Sequence, residues 1–192
     1  NPNVLYVLNW GKRQVAFVKQ AIEAGLHKKV QIIIGNTEVT IPEAAGPGSY
    51  EGILAGAMWH WSLKDKYPGS KSLYNKFLKL RKRVPSGYGA LAHDLTRVIL
   101  DTAKETKLYK PKDHFKLAKA LEGRTFAYSK GNNTIRPCDH ICVQQVFFLK
   151  GQSKAEMKGP FDHLKIVAES SGEQNTLSCE AKGIKSAAST RS

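Results

Sequence analysis

The densest group of reactive side chains is Cys138-Asp139-His140-Ile141-Cys142, with a third cysteine at Cys179. Cysteine, histidine and cysteine at alternate positions could serve a metal, but a structural zinc site needs four ligands. Only Cys179 and His163 remain to complete one, and there is no second cluster, so no metal and no cofactor is expected. The competing chemistry is oxidation. Three cysteines permit one internal disulfide and leave one thiol over. A bridge from Cys138 or Cys142 to Cys179 fits an oxidising compartment and would pin the polar tail to the last strand. The motifs GxxxxGKS, GxSxG and HExxH are missing, and Asp65, Asp94 and Glu122 show no paired catalytic spacing. An enzyme is not expected.

Binding chemistry is better represented. Asn9-Trp10-Gly11 follows the apolar run at residues 4–8, and Gly35-Asn36-Thr37-Glu38 follows a second run at residues 30–34. Between them Val15, Val18, Ala21 and Ile22 share one helical face, and Gly25 is a stop signal. This is a strand–helix–strand unit of a parallel sheet, with both faces of the strands expected to be covered. In such sheets ligands sit beyond the carboxyl ends of the strands. There an indole offers an apolar wall and one N–H donor. An asparagine offers a donor and an acceptor, and a desolvated carboxylate needs a cationic partner. Each residue also has a plainer reading: Trp10 as packing for the helix, Thr37 as a helix cap, Glu38 as an exposed loop acid.

The elements that follow are less regular. A short helix is predicted from Thr40 with Pro42 in its first turn, and a strand over residues 52–61 despite two glycines. In that strand Trp59 and Trp61 would share one face, as packing. Helices are predicted over 70–83 and 88–105. A third starts at Asp113 as N-cap, with Phe115, Ala118 and Leu121 inward, and ends at Gly123. Strands are predicted over 124–128, 141–149 and 163–168, the first two joined by a polar loop around Gly131-Asn132-Asn133. Residues 186–192 read as disordered.

The chain has 192 residues, 41% hydrophobic and 24% charged, the mix of a protein with a real core. No apolar run is long enough to cross a membrane. The net charge of +14 raises one alternative, a basic protein or fragment that binds nucleic acid or another polyanion. The lysines are scattered along the whole chain, so a basic surface explains them and no nucleic acid is expected.

The ordered set YVLNWG, AGL, IGNTE, AAG, YEGILAG, VPSGYGALAHDLTRVIL, LAKALEGRTF and GNNTIRPCDH carries a resemblance. Over residues 3 to about 150 it resembles the C-terminal half of periplasmic solute-binding proteins of the branched-chain amino-acid (Leu/Ile/Val-binding, type I) family, which serve ABC importers. The resemblance implies an α/β fold of two lobes closing over a small ligand, only partly present in this chain. Residues 1–52 would be part of the second lobe, 53–61 a crossing segment, and 62–140 the helical part of the first lobe. Residues 141–170 would return to the second lobe, and 171–192 would be a polar tail. It implies ligand-binding roles for Asn9, Trp10, Asn36, Thr37, Glu38 and Tyr88, with Glu38 or Thr37 meeting a ligand ammonium and Tyr88 lining the cleft. His93 beside Asp94 is expected to be structural. The implied partners are a small polar ligand, a permease in the inner membrane and the missing N-terminal part of the same fold. The implied location is periplasmic or extracellular.

Overall fold

A computed structural model of the chain describes residues 2–184. The expectation for residues 186–192 lies outside them.

The opening unit forms as its pattern requires. Strand β1 (Val4–Val7) leads through helix α1 (Lys12–Glu23) to strand β2 (Gln31–Ile34), and the two strands pair in parallel. Gly25 ends the helix in the left-handed conformation, with φ 63°. Helix α2 (Thr40–Ala45) follows, with Thr40 inside the helix rather than capping it. Strand β3 (Leu54–Ala57) then pairs in parallel with β2. Two later strands, β7 (Val146–Gly151) and β8 (Leu164–Ser170), add antiparallel to give the order β1-β2-β3-β7-β8. This is the sheet body.

One face of the sheet is the core. Val7, Ile32, Ile34, Ala55, Phe147 and Leu149 lie under Val18 and Ala21 of α1 and Ile41 and Ala45 of α2. Burying a side chain of Leu or Phe size is worth about 1.5–3 kcal/mol, so this layer dominates the stability of the unit. The opposite face departs from expectation. Val4, Tyr6, Leu8 and Phe148 are 51%, 59%, 80% and 48% exposed, so among the described residues no helix covers that side. β1 is also a free edge.

The strand predicted over 52–61 is only four residues long. A Cβ on Gly56 would come within 2.6 Å of the Gly35 carbonyl, and the Thr37 amide donates to the Gly56 carbonyl at 2.9 Å. The strand end is thereby fixed against the β2 loop, and the chain leaves the sheet after Ala57. Trp59 and Trp61 consequently do not share a strand face. Trp59 is buried, donating to Ser70 Oγ at 3.0 Å, whereas Trp61 donates to the Phe161 carbonyl at 3.1 Å.

The helical body comprises α3 (Pro68–Arg81), α4 (Gly87–Thr106) and α5 (His114–Leu121) with a small sheet. Pro68 starts α3, Lys82 closes it at φ 55°, and the Ser86 hydroxyl caps α4 by accepting the Gly89 amide at 3.0 Å. α5 buries none of its residues. Phe115, expected inside, is 78% exposed, and Asp113 accepts the Lys110 amide instead of capping the helix. The small sheet orders β4 (Thr125–Phe126), β5 (Asn133–Ile135) and β6 (Cys142–Val143) around Val98, Phe126 and Ile135. β5 falls where a polar loop was predicted, because Ile135 is its only large apolar side chain. The strand predicted over 141–149 is two strands in two different sheets. The break is at Gln144-Gln145, whose oxygens are taken by the Lys130 ammonium.

Candidate functional site

The carboxyl ends of β1 and β2 sit beside the start of α4. Gly11 turns the chain into α1 at φ 58°, leaving Asn9 and Trp10 at the rim. Trp10 stands edge-on to Tyr88, with ring centroids 5.1 Å apart and planes at 89°. Asn36 donates through Nδ2 to the Tyr88 hydroxyl at 2.7 Å. Trp10, Asn36 and Tyr88, distant in sequence, therefore form one cluster joining the sheet body to the helical body. Trp10 and Tyr88 remain 43% and 40% exposed, which leaves both rings able to touch a ligand. An open depression of about 380 Å³ runs from Tyr6 and Leu8 past Asn9 and Trp10 to Asn36.

Sequence reasoning missed the residue that organises these loops. Gln14 is fully buried, and all four hydrogen-bonding positions of its amide are used. Nε2 donates to the Asn9 carbonyl at 2.9 Å and the Asn36 carbonyl at 3.0 Å. Oε1 accepts from the Thr37 hydroxyl at 2.9 Å and the Tyr50 hydroxyl at 3.0 Å. The signal was its position: Gln14, Val18 and Ala21 are spaced i, i+4, i+7 on the face α1 buries. This network also defines Thr37. Its side chain is buried beneath the loop and supports it from within.

Glu38 is neither an exposed loop acid nor fully paired. It is 8% exposed, and its Oε2 is buried without a hydrogen-bond partner. Burial pushes its pKa up. The Thr40 amide and the Arg83 charge pull it back, and Glu43 pushes it further up. Arg83 itself is engaged by Glu43 at 2.6 Å. Glu38 also lies close to Gly87, the first residue of α4. The Asn9 side-chain oxygen is a second buried acceptor without a partner. Two buried acceptors without partners, Asn9 Oδ1 and Glu38 Oε2, thus lie on the same two loops as Trp10 and Asn36. That combination suits a small ligand carrying hydrogen-bond donors or a cation.

Other candidates lie elsewhere. His93 bonds Asp94 at 2.9 Å and lines a groove with Arg97 and Tyr128. Trp61 lines a separate cavity of about 410 Å³ with Tyr74 and Phe161. The cysteines resolve to a Cys138–Cys179 disulfide, with Cys142 free. The tail is therefore tied to the turn before β6, not to the last strand. Arg136 reinforces the tie by donating to the Leu177 carbonyl at 2.6 Å while pairing with Asp139 at 2.6 Å. Among the described residues the one cluster of metal-ligating types is Cys138, Asp139 and Cys179, two of which are bonded to each other. His140 points instead to Glu122, at 3.2 Å.

Comparison with known proteins supports the same frame. No curated protein matches the sequence significantly. Among solved structures, an amino-acid ABC transporter substrate-binding protein from Pseudomonas fluorescens matches at TM-score 0.83 and 22% identity, over 96% of this chain and 48% of its own. A branched-chain amino-acid ABC transporter periplasmic ligand-binding protein from Burkholderia xenovorans matches at 0.76 and 18%, over 90% and 45%. A solute-binding protein from Rhodopseudomonas palustris, in complex with 3,4-dihydroxybenzoic acid, matches at 0.73 and 17%, over 98% and 47%. The chain spans about half the length of these structures. They share its fold, the mixed α/β architecture of type I periplasmic binding proteins. Residues 1–156 match the family of periplasmic binding proteins, and the chain belongs to that family.

Proposed function

We propose that this chain is the back half of an extracytoplasmic solute receptor, and that its partner in forming the cleft is the N-terminal half of the same fold. The receptor captures a small polar ligand by lobe closure and hands it to the permease of an ABC importer. It is not an enzyme. The candidate ligands are a branched-chain amino acid, an amide or an aromatic carboxylate. The observation that carries the reading is the convergence of Trp10, Asn36 and Tyr88 at the strand ends, with the desolvated Glu38 beside them. The uncovered sheet face supports the missing half, because Val4, Tyr6, Leu8 and Phe148 present an apolar surface of the kind a second helical layer buries. With β3 in the sheet body and β6 in the helical body, the reading shifts the expected bounds, to residues 1–57 and 146–170 in one lobe and 61–143 in the other, the chain crossing at 58–60 and 144–145. The family assignment disfavours the polyanion alternative.

Closure follows only if the ligand binds the closed state better than the open one. Glu38 supplies such a difference for a ligand with an ammonium group, since the carboxylate is already dehydrated and gains a partner only when the ligand is enclosed. The test is calorimetry on the protein as its own cell makes it, after its intact mass is measured. The titrants are leucine, acetamide and benzoate. Binding by one of them, weakened at least tenfold by Tyr88→Ala, is the expected result. A natural protein of 192 residues that binds none of the three would sink the reading.

A further inference from the structure

We propose that Lys130 is a positioning residue that sets the angle between the sheet body and the helical body, by gripping at one point both connectors that run between them. The proposal rests on the two-lobe reading above.

Lys130 occupies the turn between β4 and β5 and is 4% exposed. An ammonium has three hydrogens, and here each goes to a connector. One goes to the Met58 carbonyl at 2.5 Å, just past the end of β3. The others go to Gln144 Oε1 at 2.7 Å and the Gln145 carbonyl at 2.9 Å, just before β7. β3 and β7 are antiparallel neighbours with Ala57 opposite Phe147, so the connectors leave the sheet side by side. The Tyr67 hydroxyl, from the helical body, adds a bond to Gln145 Oε1 at 3.1 Å.

The turn that carries Lys130 is itself fixed. Asp94 on α4 accepts from the Ser129 amide at 3.1 Å and the Ser129 hydroxyl at 2.6 Å. Ser70 on α3 donates to the Ser129 carbonyl, and Trp59 donates to Ser70. The helical body therefore presents the ammonium from a rigid mount. Among the described residues no carboxylate bonds it. An apolar side chain in its place would avoid the lysine's desolvation but would strand three acceptors on the connectors, and that penalty falls where they cross. What the ammonium adds is direction, because three carbonyl-type acceptors fix where the connectors cross.

The titratable groups facing Lys130 are the Asp94 carboxylate, which His93 also bonds, and the Cys142 thiol on β6. Burial pushes the Lys130 pKa down to about 8. Below that pH the side chain is the ammonium whose three hydrogens meet the three acceptors.

Amide hydrogen exchange on the 192-residue chain, without ligand, tests this independently of the binding reading. In Lys130→Met the amides of residues 56–57 and 147–148 should exchange about ten- to a hundredfold faster, with Val7 and Ile34 unchanged. Lys130→Cys alkylated with 2-bromoethylamine, in a Cys142→Ser background, should restore protection by rebuilding the ammonium. Unchanged protection at residues 56–57 and 147–148, or an equal loss at Val7 and Ile34, overturns the proposal. Should Lys130→Met fail to fold, the comparison of Lys130→Cys before and after alkylation decides, and equal protection in the two at residues 56–57 and 147–148 counts against the pin.

Discussion

Replacing Gln14 by leucine separates a site-building role from simple packing. The side chains are similar in size, so no cavity opens, but four hydrogen bonds disappear. The Asn9 and Asn36 carbonyls lie in half-buried loops and can recover water. The Thr37 and Tyr50 hydroxyls cannot, since both residues are 1% exposed. Two stranded buried hydroxyls cost about 2–6 kcal/mol together, and the added apolar burial returns about 1–2 kcal/mol. A net loss of about 1–4 kcal/mol is expected, from a total that for a domain is about 5–15 kcal/mol. With a urea m-value of about 2 kcal/mol/M, the unfolding midpoint should fall by roughly 0.5–2 M. The indole resonance of Trp10 should broaden or shift as its loop loses its anchor, while that of Trp59 stays in place. Gln14→Glu should be worse than Gln14→Leu at neutral pH, because it turns a carboxylate towards two carbonyl oxygens. It should recover on acidification, since its folded-state pKa is raised and stability is lost as pH climbs through that window. An unmoved midpoint and an unmoved Trp10 resonance in Gln14→Leu would refute the reasoning.

Glu38→Gln should do two opposite things. The wild-type pKa is raised by burial, so this group's contribution to stability declines as pH rises from its unfolded value through its folded one. The variant should therefore match or exceed the wild type in melting temperature at neutral pH and lose that advantage in acid. If the ligand carries an ammonium, the same variant should bind it about ten- to a hundredfold more weakly, the worth of a hydrogen bond between charged groups; unaltered affinity would assign Glu38 to structure alone. The disulfide closes a loop with a sequence separation of 41, for which chain entropy gives about 4 kcal/mol. Reduction should lower the melting temperature measurably, and thiol titration of the denatured chain should count one thiol without reductant and three with it. Three thiols without reductant would remove the argument for an oxidising compartment.

Local rules carried much of the fold into the sequence. β1, α1 and β2 are legible because apolar period, a glycine stop and two runs of branched residues all point the same way. α3 and α4 were legible for similar reasons, to within two residues at each end. β5 was not, because a three-residue strand with one large apolar side chain has no period to detect. The split at Gln144-Gln145 was hidden for a different reason. Two short apolar runs in tandem look like one strand until a lysine from elsewhere claims the oxygens between them. Phe115 shows the converse error, a helical face read correctly as apolar with nothing among the described residues to cover it.

The candidate site divides along the same line. Sequence alone determined which residue types would stand at the strand ends, because strand polarity and turn chemistry are local. Asn9, Trp10, Asn36 and Glu38 could be named from that, and Tyr88 from the resemblance. Tertiary structure decided what each of them does. It set Trp10 edge-on to Tyr88, turned the Thr37 hydroxyl inward to Gln14 and left a Glu38 oxygen without a partner. It also chose Cys138 over Cys142 for the bridge to Cys179. Those outcomes depend on which atoms meet across long stretches of chain, 23 residues from Gln14 to Thr37 and 41 from Cys138 to Cys179. A hydrogen bond is decided by angle and distance to one partner, and no spacing along a chain encodes that until the chain has folded.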